Sequence, residues 1–106
     1  MLILGYKVGM EPEKVEINNQ LREFQKFVGG YIEIFPLTET PYLCICNEEG
    51  KYNGLAPNRV ILHNGTVLDV IAGDFLICRA EGEEFQGLTD EDISVILESG
   101  MIGGIV

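Results

Sequence analysis

The sequence is short of the basic side chains that binding to anionic polymers requires. It has 17 aspartates and glutamates but only seven lysines and arginines, which gives a formal net charge of -10 at pH 7. Affinity for duplex nucleic acid and for anionic membranes comes largely from clustered lysine and arginine. We therefore expect no direct nucleic-acid partner and no membrane partner. No apolar run is long enough to predict a transmembrane helix.

Histidine and cysteine, which serve as nucleophiles, bases and metal ligands, are also scarce, and the plentiful paired carboxylates are expected to form a solvated face. The chain has no tryptophan, one histidine and three cysteines, and the cysteines lack CxxC spacing. Phosphate-binding glycine motifs and calcium-binding loops are missing as well. Cys44 and Cys46 would share one face of a strand and could clamp a soft metal, but free cysteine more often packs as a small buried hydrophobe. We expect no catalytic residue, no metal and no cofactor.

The patterns that are present favour one small α+β domain. The chain has 106 residues, of which 46% are hydrophobic, enough for a single modest core. Alternating and continuous apolar segments predict a mainly antiparallel β-sheet with two short helices packed on it. Strands are predicted over residues 2–8, 14–17, 31–35, 42–46, 59–62, 67–71 and 75–78, with Lys51 and Tyr52 running back beside the fourth of them.

Both helices have clear boundary signals. Residues 21–28 follow two asparagines that can act as N-caps, and Gly29 ends the pattern. Thr89 and Asp92 have the spacing of a capping box at the start of the second helix, which ends at Gly100. The buried stripes are expected at Leu21, Phe24, Phe27 and Val28 in the first helix and at Ile93, Ile96 and Leu97 in the second.

The last six residues are apolar but follow neither a helical nor a strand pattern. In water such a segment would form a sticky patch. We therefore expect a single domain over residues 1–100 and an apolar C-terminal tail over 101–106, which docks either on the domain's own core or on a second subunit.

One region is dense in side chains that could bind a ligand. Between Asn47 and Arg59 the chain holds several asparagines and two of its seven basic residues. Amides with lysine and arginine can grip an anionic or base-like small molecule, and a tyrosine at position 31 could stack on a ring. The ligand-binding residues predicted on this basis are Tyr31, Asn47, Lys51, Asn53, Asn58 and Arg59. The alternative is that the asparagines build turns and the cations pair with nearby glutamates.

Four stretches, VGGYIE from Val28, NEEGKYNGLAPN from Asn47, DVIAG from Asp69 and LTDE from Leu88, together resemble a small domain family of unknown function. Its members occur in phages, plasmids and integrative elements of Firmicutes. The resemblance implies an accessory or counter-defence role, and it brings no catalytic residues with it.

Two functions remain open at this point, and neither is enzymatic. In the first, the protein sequesters an anionic nucleotide-type signalling molecule at a pocket between subunits of a homo-oligomer. In the second, its acidic surface imitates nucleic acid and inhibits a basic host defence or DNA-processing protein. The odd cysteine count and the absence of a leader pattern predict a cytoplasmic protein, in the host's cytoplasm if a phage encodes it.

Overall fold

The computed structural model describes residues 1–106 and confirms the predicted α+β class. Every strand pairing is antiparallel. In chain order the elements are β1 (Leu2–Tyr6), β2 (Glu13–Glu16), α1 (Leu21–Val28), β3 (Ile32–Pro36), β4 (Tyr42–Asn47), β5 (Pro57–His63), β6 (Thr66–Ala72), β7 (Phe75–Glu81), β8 (Glu84–Gln86) and α2 (Asp90–Ser99).

The main sheet is built around β7. Its strand order is β2-β1-β7-β4-β3, and β8 also pairs with β7. Residues 75–78 of β7 are completely buried because both faces of the sheet are covered at this strand. Such a position suits a continuous apolar run rather than an alternating one. β5 and β6 form a separate two-stranded ribbon.

Two apolar cores flank the sheet, one on each face. Phe24 of α1 packs on one face against Ile3, Ile45 and Leu76. On the other face the β5–β6 ribbon and α2 contribute Ile61 and other aliphatic side chains. Buried residues of this second core include Leu4, Tyr6, Tyr42, Cys44, Cys46, Ile71, Phe75, Ile77, Ile93 and Ile96.

The predicted helix boundaries agree closely with the structure. Gly29 and Gly100 end the two helices in the left-handed conformation, and the Thr89 capping box is present. Gln20, not an asparagine, precedes α1, and its side chain makes no cap hydrogen bond. Leu21 and Leu97 were expected in the buried stripes but are 57% and 52% exposed, because each lies at the margin of its helix's packed face.

Among the strands, one prediction was wrong and one element was missed. Residues 51–54 form turns instead of running back beside β4, and β8 was not predicted. The Asn64-Gly65 pair does make the tight hairpin between β5 and β6, with φ values of 49° and 79°. Pro36 ends β3 at the edge of the sheet, as its missing N–H requires.

The first part of the C-terminal tail docks on its own domain. Leu62 N donates to Met101 O over 2.8 Å and Gly103 N to Val60 O over 2.9 Å, so the segment adds to the edge of β5. Beyond this point the chain returns to the surface, and Ile105 and Val106 are 49% and 68% exposed.

Neither helix is long and apolar enough to span a membrane.

Candidate functional site

Several residues of the predicted binding region hold the fold together. Asn47 Nδ2 donates to Val28 O over 3.1 Å, and its Oδ1 accepts from Glu49 N over 2.8 Å. This amide therefore ties the end of α1 to the turn after β4. A Cβ on Gly30 would lie 2.8 Å from Asn47 Nδ2, so only glycine leaves room for the contact.

Asn58 has a similar structural role. It is 1% exposed, and its Nδ2 donates to both Tyr6 O and Gly73 O over 2.9 Å. These bonds join β5 to the end of β1 and to the turn before β7. Asn47 and Asn58, which both belong to the predicted binding region, therefore stabilise the fold by joining turns to the ends of helices and strands.

Lys51 lies in a cleft of about 230 Å³, called here the loop cleft. Its Nζ is 2.6 Å from Asp69 Oδ1, and this hydrogen bond raises the pKa of Lys51. The charge of Lys51 is therefore already matched. The remaining charged lining residues, Glu33 and Glu48, are acidic. The loop cleft consequently favours a cationic group over an anionic one.

The cysteines offer no metal centre. All three are free and buried, and Cys44 and Cys46 share a face as expected. Cys46 also lines the loop cleft. Its Sγ donates to Glu33 O over 3.7 Å, and burial raises the pKa of Cys78 to about 12. No group of three or more His, Cys, Asp and Glu side chains is arranged around a common point where a metal ion could bind.

Arg59 is a buried basic side chain without an acidic partner. It is 2% exposed, and no carboxylate lies within ion-pair distance of it. Nη1 donates to the backbone and side-chain oxygens of Asn58, Nη2 donates to Met10 O, and the guanidinium lies 5.3 Å from the centre of the Tyr6 ring. Every one of these partners is neutral.

A second cleft, of about 180 Å³, opens beside this guanidinium and is called here the Arg59 cleft. Burial raises the pKa of Tyr6 to about 12 although the Arg59 charge opposes the shift. Glu11 lines the cleft without forming an ion pair. The lining residues are Tyr6, Glu11, Pro12, Arg59, Ile96, Leu97, Ile102, Gly103, Gly104 and Ile105.

The structure separates the six residues that the sequence grouped as one site. Asn47 and Lys51 line the loop cleft, and Arg59, supported by Asn58, lines the other. Tyr31 and Asn53 are exposed and line neither. Sequence reasoning did not predict that the β1–β2 loop and the tail line the Arg59 cleft. The one signal in the sequence was the apolar tail, which followed no helical or strand pattern.

Comparison with known proteins gives a family but no function. No curated protein and no solved structure matches the chain significantly. A family model matches residues 1–100, which comprise all ten helices and strands. The chain therefore belongs to the family described as a domain of unknown function, DUF3846.

Proposed function

We propose that the protein binds and sequesters a small anionic molecule without transforming it. The observation that carries the proposal is the Arg59 guanidinium, which is 2% exposed and has only neutral partners in a chain of net charge -10. Buried charges are normally paired, because removing an ion from water is costly unless an opposite charge compensates. An anionic ligand in the Arg59 cleft would supply the missing partner.

The surroundings of Arg59 support binding more than catalysis. Acid–base catalysis needs a group that titrates near the working pH beside the reacting atoms. With a pKa of about 12, Tyr6 stays protonated at neutral pH. The oxygens that contact the guanidinium belong to amide groups of Asn58 and Met10, which do not titrate.

The family resemblance makes a nucleotide-type immune signal the first ligand to test, in keeping with a counter-defence role in a phage or mobile element. The Arg59 cleft has a volume of about 180 Å³, which is below the roughly 300–1,000 Å³ of pockets for drug-sized ligands. One protomer would hold a single phosphodiester group, which carries one negative charge, and its neighbouring atoms. A homo-oligomer would be needed to enclose a larger nucleotide.

Isothermal titration calorimetry with inorganic phosphate, cyclic di- and trinucleotides and cyclic ADP-ribose isomers tests the proposal. Arg59→Met should weaken binding by roughly 10- to 100-fold, since hydrogen bonds to charged groups contribute about 1.5–3 kcal/mol. Arg22→Met makes the same change of charge at an exposed position of α1 and should leave the affinity unchanged. A folded Arg59→Met protein with wild-type affinity would contradict the proposal.

A second candidate function rests on the acidic surface. Only four of the 17 aspartate and glutamate side chains form ion pairs, and the loop cleft carries acidic side chains at its lining. Such a surface suits a basic defence or DNA-processing protein as partner, whose association would be electrostatically steered. Absence of heat with every anion, together with salt-sensitive binding to a basic nuclease, would favour this function.

A further inference from the structure

Aliphatic side chains form part of the wall of the Arg59 cleft, beside its polar groups, and they narrow the class of ligand. Leu97 and Ile105 are 52% and 49% exposed, although both line a cleft beside a buried charge. Apolar side chains grouped with a few polar groups around a cleft are typical of a small-molecule binding site. The other aliphatic wall residues are Pro12, Ile96 and Ile102.

The guanidinium still has donors to offer. An arginine carries five N–H groups, and protein oxygens accept three hydrogen bonds from Arg59, two from Nη1 and one from Nη2. Nε–H and the second Nη2–H therefore have no protein acceptor. Every side-chain nitrogen that is closed off from solvent has a hydrogen-bond partner. Because Nε of Arg59 has none, it is open to solvent. Two such donors match the two oxygens of a carboxylate.

The charge of the cleft limits the charge of its ligand. Arg59 is the only cation among the lining residues, and Glu11 lies on the wall. A phosphate dianion or a polyphosphate would carry more negative charge than one guanidinium neutralises and would be repelled by Glu11. A monoanion balances Arg59 and leaves the apolar walls for an uncharged part of the ligand.

We infer that the Arg59 cleft binds a carboxylate carried on a short apolar group, with the carboxylate on the two free guanidinium donors and the apolar part against Leu97 and Ile105. This inference rests on the proposed function and names its ligand class. The cleft volume of about 180 Å³ restricts the apolar group to a short chain or a small ring. The same chemistry occurs in free carboxylic acids and at the C-terminus of a peptide that ends in an apolar residue.

Titration with acetate, butyrate and hexanoate tests the inference. Affinity should rise about four-fold for each methylene that enters the cleft, since one buried methylene contributes about 0.8 kcal/mol. Hexanamide, which keeps the chain but loses the charge, should not bind measurably. An N-acetylated tripeptide ending in leucine, compared with its C-terminal amide, shows whether a peptide end is accepted as well as a free acid.

Variants of the wall identify the cleft without disturbing buried Arg59. Leu97→Ser should weaken hexanoate binding at least five-fold and leave acetate binding unchanged. Val95→Ser is the matched control, because Val95 is 45% exposed on the same helix but lies outside the cleft. Glu11→Gln should strengthen both acids by removing repulsion.

The outcomes separate this inference from the proposed function. Binding of phosphate or nucleotides through Arg59, with no gain from chain length, would overturn the carboxylate inference and leave the proposed function standing. If no anion of any kind binds, both are wrong. Equal effects of Leu97→Ser and Val95→Ser on hexanoate would place the apolar group outside the Arg59 cleft and also overturn the inference.

Discussion

Lys51 and Arg59 show how neighbours decide the role of a basic side chain. Both were predicted as ligand contacts from one short region. The Lys51 side chain is 61% exposed and paired with Asp69, whereas Arg59 is buried without an acid. The difference depends on residues from β6 and from the β1–β2 loop, which the local sequence around the two cations does not contain. The local pattern could therefore identify the candidates but could not rank them.

Close packing at Gly50 makes a residue-scale prediction. A Cβ there would lie 2.9 Å from the backbone oxygen of Ala72, which cannot move aside cheaply. Gly50→Ala should lower the free energy of unfolding by about 1–3 kcal/mol, measured by urea denaturation. Gly104→Ala is the control, because a Cβ at that position meets no atom within 4 Å. Equal unfolding midpoints for the two variants would contradict the prediction.

At the scale of elements, the mostly buried carboxylate of Asp92 adds polar contacts to the apolar packing that holds α2 on the sheet. Asp92 Oδ1 accepts from Tyr42 Oη over 2.9 Å and from Arg79 Nη1 over 2.7 Å, while Oδ2 accepts from Thr89 N over 2.8 Å. Burial alone would raise the pKa of Asp92, but these hydrogen bonds outweigh it and hold the pKa below its ordinary value. The same side chain thus caps the helix and joins it to β4 and β7.

This attachment predicts how stability depends on pH. Because the pKa of Asp92 is lowered by folding, its contribution is present above the unfolded-state pKa of about 3.9 and is lost as pH falls through the folded-state pKa. Asp92→Asn should lower the free energy of unfolding by about 1–3 kcal/mol at pH 7. In urea titrations the difference from wild type should shrink below about pH 4. Asp90→Asn removes only a surface ion pair with Lys14 at a side chain that is 81% exposed, and it should show little change at either pH.

Elements with local signals were predictable, and their arrangement was not. The capping box at Thr89, the glycine ends of both helices and the Asn64-Gly65 hairpin are set by residues within a few positions of one another, so the sequence shows them directly. The short β8 forms only because β7 has an open edge beyond the end of β1. No pattern within residues 84–86 indicates that edge.

At the scale of the whole molecule, the Arg59 cleft is assembled from distant parts of the chain. Tyr6 and Glu11 come from the start, Arg59 from the middle and Ile105 from the end. To find such a site from the sequence, one would have to predict how the β5–β6 ribbon packs and where the tail docks. The fold class needed neither, since periodicity, segment length and the content of β-branched and aromatic residues together distinguish strands from helices. For this reason the class was predicted correctly, whereas the six candidate residues do not form one site: some belong to two different clefts, and Tyr31 and Asn53 line neither.

The net charge predicts that self-association depends on salt. Two copies of charge -10 repel each other at low ionic strength, and the repulsion is screened as the Debye length falls from about 30 Å at 0.01 M to about 3 Å at 1 M. If the exposed end of the tail forms the contact of a homo-oligomer, the mass by light scattering should rise with salt. Replacing both Ile105 and Val106 by serine should keep the protein monomeric.

The control for this experiment is Val67→Ser, at an apolar side chain of β6 that is 57% exposed. It should associate as wild type does. A monomeric mass for the wild-type protein at every salt concentration would show that the expected homo-oligomer is wrong. Association of the double variant would place the contact elsewhere on the surface.

The central position of β7 also bears on how the chain folds. β1 pairs with β2 early in the chain, but Leu4 of β1 also pairs with Ile77, so the second partner of this strand is made only after nearly three quarters of the chain. Cys44 of β4 pairs with the same residue from the other side. Neither core can close before β7 arrives, and contacts so distant in sequence slow the search for the native topology. We therefore expect the domain to become a cooperative structure only once the last third of the chain, which contains β7 and α2, has been synthesised.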